Sequence, residues 1–459
     1  MPARKDYIMH YNKLLQMLDH TPYLSVGLDV GADFTWMSIA LPNGSFIGKP
    51  FKVIHNDPYS RELAVAKIKE AQEMYSLKSR CFLESTGIYH IPLLCFLRDK
   101  GLDCFVINPI ITKNSTNINI RKLHNDKFDS KKAALVGLNS SLKTSVIPDE
   151  DIADLRNLVR DYYYFKDLQS AVVLKLNAEL KVSFPAYLKV FSKSTTKSSL
   201  KLLRAYPLAR DMLAAPKEEL VGLIRSTARF GEAYALNKYE AILEAAKDSA
   251  IFGRALPSNA VRIRLYIESY QTYQKHPDTL LLALHEAVDK LQGTPVYDRI
   301  CLLQSLRGVG FLSSVVLMAE MGDFDLFSSP KKVYAYFGLD PAVKQSGKLN
   351  GDKVHMSKRG SSLARRVLHM VALKTLRSIK GRRHPSIRLF TATTPANVPA
   401  RKRTWPLGLS CIRFVISSLP CSGTTNRLRS FPQRCIVSNT HLITLPMLAK
   451  LLNRLGSRF

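Results

Sequence analysis

SVGLDVGADFTWMSIALPNGSFIGKPFKVIH, Ser25 to His55, is the stretch that decides how the rest of the chain is read. Ser25–Val30 is a short apolar run carrying one acid, Asp29, next to its end. Phe34–Pro42 reads as a second strand, Asn43-Gly44 is the dipeptide of a tight hairpin, and Ser45–His55 supplies a third strand. The period then changes. Over Tyr59–Tyr75, Leu63, Val65, Ile68, Ala71 and Met74 recur mostly at helical spacing. Arg80–Glu84 is again strand-like, and Ile88–Lys100 reads as a helix closed by Gly101. Asp103–Asn108 is another strand, and a polar link leads to a helix around Lys127–Leu138.

A three-stranded meander followed by alternating helices and strands, β-β-β-α-β-α-β-α, is the order of an α/β RNase H-like fold. Four acids fall where such a fold does chemistry. Asp29 lies on the first strand, and Glu84 ends the strand that follows the first helix. Asp126 and Asp129, three apart, share one face of a helix. Hard ions such as Mg²⁺ or Mn²⁺ need a few carboxylates on a rigid frame, and two such ions can clamp the attacking and leaving oxygens of a phosphoryl transfer. One acid alone at any of these places would be an ordinary surface carboxylate; the set and its order point to a metal site. Asp33, four residues past Asp29, reads as a turn acid.

Composition narrows the partners. The 459 residues give length for two to four domains, and 46% apolar with 23% charged residues is ordinary for a globular protein. No run of about 18 apolar residues is present, so no membrane span is expected. The N-terminus lacks the apolar core of a secretory signal. Seven cysteines without metal spacing read as reduced, mostly buried thiols of a cytosolic protein. The formal charge of +30 is uneven: Lys353 to Phe459 holds 21 Lys and Arg and no acid, leaving +9 for residues 1–352. So basic a segment fits a polyanion, most simply nucleic acid.

Beyond the first domain the pattern is helical. Asp149–Leu180 reads as one long helix broken by Pro185, residues 196–252 as further helices, and Val261–Leu291 as a long helical stretch interrupted at Pro277. Leu306-Arg307-Gly308-Val309-Gly310 then precedes the apolar run Phe311–Met321. Gly308 and Gly310, in a turn feeding a helix N-terminus, can offer backbone N–H groups to a phosphate. Further on come FGLDP (Phe337–Pro341), Lys344-Gln345-Ser346-Gly347-Lys348 and Ser357-Lys358-Arg359-Gly360, with Leu363–Leu373 as a helix. Lys344, Lys348, Lys353, Lys358 and Arg359 surround Ser346 in sequence and could hold a phosphate and its developing charge.

Taken in order, GLDVG (Gly27–Gly31), LESTG (Leu83–Gly87), INP (Ile107–Pro109), NDKFDSKKAA (Asn125–Ala134), GVG (Gly308–Gly310), FGLDP, SGK (Ser346–Lys348) and SKRG (Ser357–Gly360) resemble the DEDD-type, RuvC-like insertion-sequence transposases. These form the insertion-sequence one-hundred-and-ten family, related to pilin-gene inverting recombinases. The resemblance spans about residues 23–390. Asn125 stands where the family usually has Thr and Ser130 where it has Ala, and neither change removes a candidate ligand.

The resemblance implies a division of the chain. Residues 1–22 would be an extension, 23–148 a RuvC-like catalytic domain, and 149–295 a helical, coiled-coil-like linker. Residues 296–390 would be a mainly α domain with the serine motif and a helix-hairpin-helix-like element; 391–459, beyond the resemblance, would be an out-of-frame or disordered basic tail. It implies Ser346 as nucleophile, activated by a base or metal. It also implies a homo-oligomer (dimer or tetramer), DNA ends and target as substrates, a noncoding bridge RNA, and a bacterial cytoplasmic, nucleoid-associated setting. Two other readings stay open: a metal-dependent nuclease of the Holliday-junction-resolvase type, with Ser346 as a loop residue, and a non-enzymatic binding protein or inactive remnant of a mobile element.

The tail breaks the pattern. Thr391–Phe459 holds three of the seven cysteines, several Pro, no acid and no sustained period. A shift of reading frame near residues 391–393 would explain it. Reading the third base of each codon with the first two of the next, Trp405-Pro406 must yield Ala, and one permitted codon choice across 393–422 gives a Lys-rich segment followed by an amphipathic helix. The competing reading is a genuine disordered, nucleic-acid-binding tail.

Overall fold

The computed structural model describes residues 21–85, 87–107, 126–139, 149–227, 231–306, 308–322, 327–340, 345–346, 349–350 and 356–376. The tail and its expected change of frame lie outside these residues, as do Asn125, Lys344, Lys348 and Lys353. The chain divides into two compact units, Met1–Ile147 and Pro148–Phe459.

The first unit carries a mixed five-stranded sheet built from β1 (Leu24–Val30), β2 (Phe34–Ala40), β3 (Phe46–Ile54), β4 (Ser79–Glu84) and β5 (Asp103–Ile107). Their order is β3-β2-β1-β4-β5. The meander β1–β2–β3 is antiparallel, and β4 and β5 join it in parallel. This is consistent with an RNase H-like start. Gly44, at φ +85°, supplies the turn that Asn43-Gly44 predicts. Between the strands run α1 (Pro58–Tyr75) and α2 (His90–Asp99), and α3 (Asp126–Gly137) follows β5. Asp57 caps α1 by accepting from the Tyr59 N–H, and Pro58 fills the first helical position, where a missing donor costs nothing.

The two faces of β1 differ because side chains alternate along a strand. Leu24, Val26, Leu28 and Val30 enter a core with Ala64, Val65 and Ile68 of α1 and Leu93, Leu94 and Leu97 of α2. Ser25 and Gly27 instead meet α3: the Ser25 hydroxyl donates to the Ala134 carbonyl at 2.6 Å, and Gly27 lies directly against the helix backbone. Asp29 belongs to this second face.

The second unit is mostly helical. Its frame is α4 (Glu150–Ser183) packed along α9 (Pro257–Lys290), each of 34 residues, or about 50 Å at the helical rise. Between them lie α5 (Lys197–Ala205), α6 (Ala209–Ala214), α7 (Lys217–Arg225) and α8 (Glu232–Phe252). After them come α10 (Pro295–Ser305), α11 (Phe311–Met321), α12 (Pro330–Tyr336), the two-residue strands β6 (Gln345–Ser346) and β7 (Leu349–Asn350), and α13 (Ser362–Leu376). Two cores bracket the long pair. Leu176, Leu180, Ile263 and Ile267 pack with α5–α8. Ile152, Leu155, Val159, Leu284 and Val288 pack with α10, α11 and α13. The helices are therefore antiparallel.

The expected interruption at Pro277 does not occur; α9 runs through it. Proline there removes one backbone donor, at a cost of about 3 kcal/mol in an isolated helix. Packing offsets that cost: Pro277 is buried, and its neighbour His276 lies against the Phe165 ring, centroids 4.6 Å apart.

Candidate active site

The acids of the first unit are brought together by the absence of a side chain. A Cβ on Gly27 would lie 2.1 Å from the Ser130 carbonyl oxygen and 2.2 Å from the Ala134 nitrogen. A Cβ on Gly137 would meet the Phe82 ring at 2.3 Å. Helix α3 can press onto β1 and β4 only because both positions are glycine. Buried Ala133 and Ala134 keep the seam thin. Ser130, the departure from the family's Ala, is fully buried and satisfied: its hydroxyl meets Ser38 Oγ at 2.8 Å and donates to the Lys127 carbonyl at 2.9 Å.

This approach sets Asp126 and Asp129, in the first turn of α3, against Asp29 on β1 and Glu84 at the end of β4. The consequence is electrostatic. The half-buried Asp29 carboxyl is pushed up to about 6, first by burial and then by the charges of Asp129, Asp126 and Glu84, with Lys132 pulling the other way. Three of the sequence-predicted acids thus act on the fourth. All-carboxylate donors suit a hard divalent ion, and such an ion would relieve the repulsion around Asp29. The acids are neighbours rather than a closed cage: among the described residues no group of three or more His, Cys, Asp or Glu is arranged to hold an ion. Asp129 is engaged by Lys132, whose Nζ donates to Oδ1 at 2.9 Å. Asp33 stays apart in an exposed bend, where its carbonyl accepts from the His55 N–H.

In the second unit, Ser346 lies on β6, paired with Leu349 of β7. The described residues on either side of that segment meet at a tight junction. Ser357 donates its N–H to the Asp340 carbonyl at 2.8 Å and its hydroxyl to Asp340 Oδ1 at 2.5 Å. Gly338 and Gly360 let two backbone turns touch, since a Cβ on Gly338 would lie 1.8 Å from the Arg359 carbonyl oxygen. Arg365 ties the junction by donating to the carbonyls of Phe337, Arg359 and Gly360. Lys358 and Arg359 are exposed there, Lys358 in the left-handed region at φ +54°. Gly308 turns the chain at φ +87°, and Gly310 is the N-cap of α11.

Sequence reading missed three partners. Lys132 looked like one basic residue of many. Glu320, buried in an apolar helix, takes a two-pronged hydrogen bond from Arg160 at 2.8 and 3.1 Å. Burial alone would raise its carboxyl, but bonding and charge from Arg160, with help from Ser361 and Arg156, hold it below the usual range. A lone acid inside FLSSVVLMAEM was the available signal. Arg365 carried no signal, because its three acceptors are backbone carbonyls.

Two family models match. The DEDD transposase model of the IS110 type covers residues 26–185, and the model described as "Transposase IS116/IS110/IS902 family" covers residues 301–387. A stretch of 69 residues is 33% identical to the protein named "Putative transposase y4qE" of Sinorhizobium fredii. That stretch is 15% of this chain and 17% of the relative, so the likeness spans about a sixth of the relative's length. One model falls on the sheet and helix that carry the acids, the other on the region that carries Ser346; with both on one polypeptide, the chain belongs to the IS110-type transposase family.

Proposed function

We propose that the protein cuts and rejoins DNA as the transposase of an insertion sequence, using Asp29, Glu84, Asp126 and Asp129 to hold divalent metal and Ser346 as nucleophile. The observation that carries this reading is the convergence of three carboxylate charges on Asp29. A surface has no use for such repulsion; a site for a divalent cation does. Bound there, Mg²⁺ or Mn²⁺ would neutralise charge developing on a phosphoryl group. The rest falls to the protein's own groups. The Ser346 oxygen attacks phosphorus, forming a serine–phosphate ester as one DNA P–O bond breaks. The serine proton passes to a base, and the departing sugar oxygen is protonated in turn. Attack by a DNA hydroxyl reverses the exchange, so ester energy is kept for rejoining. Lys344, Lys348, Lys358 and Arg359 hold the phosphate electrostatically, and the turn at Gly308 and Gly310, in a helix-hairpin-helix-like setting, offers backbone N–H groups to a neighbouring one.

In this reading the first unit is RuvC-like. The antiparallel α4–α9 pair serves assembly into a dimer or tetramer, in which the acidic site of one subunit serves the serine of another. A bridge RNA pairs with donor and target DNA, in the bacterial cytoplasm at the nucleoid. The basic segment after Lys353 adds sequence-independent, salt-sensitive affinity. The test is cleavage of a cognate substrate by Asp29→Asn and Asp126→Asn. Both should lose strand cleavage while retaining DNA binding; cleavage at the wild-type rate by both would refute the metal site.

A further inference from the structure

Lys132 sits within the acidic cluster rather than on its rim. Its side chain is 20% exposed and that of Asp129 31%, with 2.9 Å between Nζ and Oδ1. Ring contacts are common to the lysines of α3: Lys131 lies 5.0 Å from the Phe46 centroid, Lys127 4.7 Å from that of Trp36 and Lys132 itself 5.9 Å from that of Phe128. Spacing explains the pairing of Lys132 with Asp129. Residue 132 is one turn beyond 129 on the same face, the face that α3 presents to Asp29. An ammonium has three donors and a compact charge. It can satisfy one carboxylate oxygen, and it can equally serve a phosphate oxygen brought to the same place.

Resting on the metal-site reading above, we infer that Lys132 is the internal rival of the divalent ion. It competes for Asp129, and once an ion takes that carboxylate its freed ammonium contacts a non-bridging oxygen of the scissile phosphate. The two roles push measurements in opposite directions. Removing the cation should strengthen metal binding, because a competitor and a like charge are both lost. The same change should slow strand cleavage at saturating metal, because a substrate contact is lost. A surface ion pair with only a structural role would leave cleavage at saturating metal unchanged.

The test is calorimetric titration of Mn²⁺ into the full chain at pH 8, beside single-turnover cleavage at saturating Mn²⁺. Lys132→Met should bind Mn²⁺ about tenfold more tightly, with the gain shrinking as salt rises. Its cleavage should fall at least about tenfold. Lys132→Arg should restore much of both. Lys132→Gln serves if the Met variant folds poorly, with folding checked by circular dichroism. In an Asp129→Asn background the effect of Lys132→Met on affinity should shrink to the like-charge part, since the contested ligand is gone. Unchanged or weaker Mn²⁺ binding by a folded Lys132 variant overturns the competition; tighter binding with unimpaired cleavage overturns the phosphate contact. If the wild type binds Mn²⁺ and Asp29→Asn does not, such failures fall on Lys132 alone. If the wild type itself binds no Mn²⁺, the metal-site reading and this inference fall together.

Discussion

Replacing Asp29 by Asn should make the metal-free first unit more stable at neutral pH while destroying its chemistry. The carboxyl ionises near 3.8 in an unfolded chain and near about 6 in the folded one, because burial and the charges of Asp129, Asp126 and Glu84 disfavour its anion. A raised carboxyl means that the unfolded state releases its proton first. The native state is therefore relatively favoured below 3.8, loses that advantage as pH rises to about 6, and bears the full cost above it. Full conversion of that gap at 1.36 kcal/mol per pH unit gives about 3 kcal/mol. Asp29 is half-exposed, so solvent screening reduces this to about 1–2 kcal/mol. Asn keeps the shape and removes the charge. The chain has two units, so one melting temperature would mix them; hydrogen exchange of β1 and α3 amides isolates the relevant one. At pH 8 without metal, Asp29→Asn should slow globally exchanging β1 amides about 5- to 30-fold. At pH 3.5, measured on the same amides after correction for intrinsic rates, the two proteins should match. Added Mg²⁺ should reverse the order, because it stabilises only the protein that binds it. A variant less stable than wild type at pH 8, or equally shifted at both pH values, would refute the claim that Asp29 is held in repulsion.

Two further outcomes follow from other parts of the fold. Gly27→Ala should destabilise the first unit by about 1–3 kcal/mol, as overpacked cores do, because its Cβ would lie 2.1 Å from the Ser130 oxygen. Hydrogen exchange in α3 should accelerate and Mn²⁺ affinity should fall with it, and an unaffected α3 would contradict the seam described for this face. Glu320→Gln should destabilise the second unit, because it removes the acceptor charge facing Arg160. Glu320's carboxyl is held low, so its stabilisation is full above the usual carboxylate range and is lost as pH falls below it. Urea denaturation at pH 7 and pH 3 should therefore separate wild type from variant at the higher pH and bring them together at the lower.

Much of the first unit was legible because its rules are local. A short apolar run marked β1, Asn43-Gly44 marked the turn between β2 and β3, and Gly101, at φ +81°, marked the end of α2. The four acids could be read as a candidate set because strand ends and a three-residue helical spacing are sequence properties. What distance along the chain hides was not legible. Gly27 stood in a motif, but nothing in the motif says that a helix 100 residues later lies on its bare Cα. Pro277 was misread because the contacts that carry α9 through it come from α4. Lys132 was invisible for a related reason: a lysine's partner is chosen by the fold, and a chain with 67 Lys and Arg gives no ground for singling one out.

If metal-binding acids and a serine nucleophile work together on DNA, denaturing electrophoresis of a labelled cognate substrate reads the covalent step itself. With the RNA and Mg²⁺ present, the full chain should form a protein–DNA adduct that survives denaturation, since a serine that attacks phosphorus remains bonded to it. Ser346→Ala and Asp126→Asn should each abolish the adduct and the cleavage. Ser357→Ala and Ser361→Ala should retain the adduct, because those hydroxyls already serve Asp340 and the first turn of α13. Strand cleavage by Ser346→Ala at the wild-type rate, with no adduct from any protein, would contradict the account and make water the attacking group.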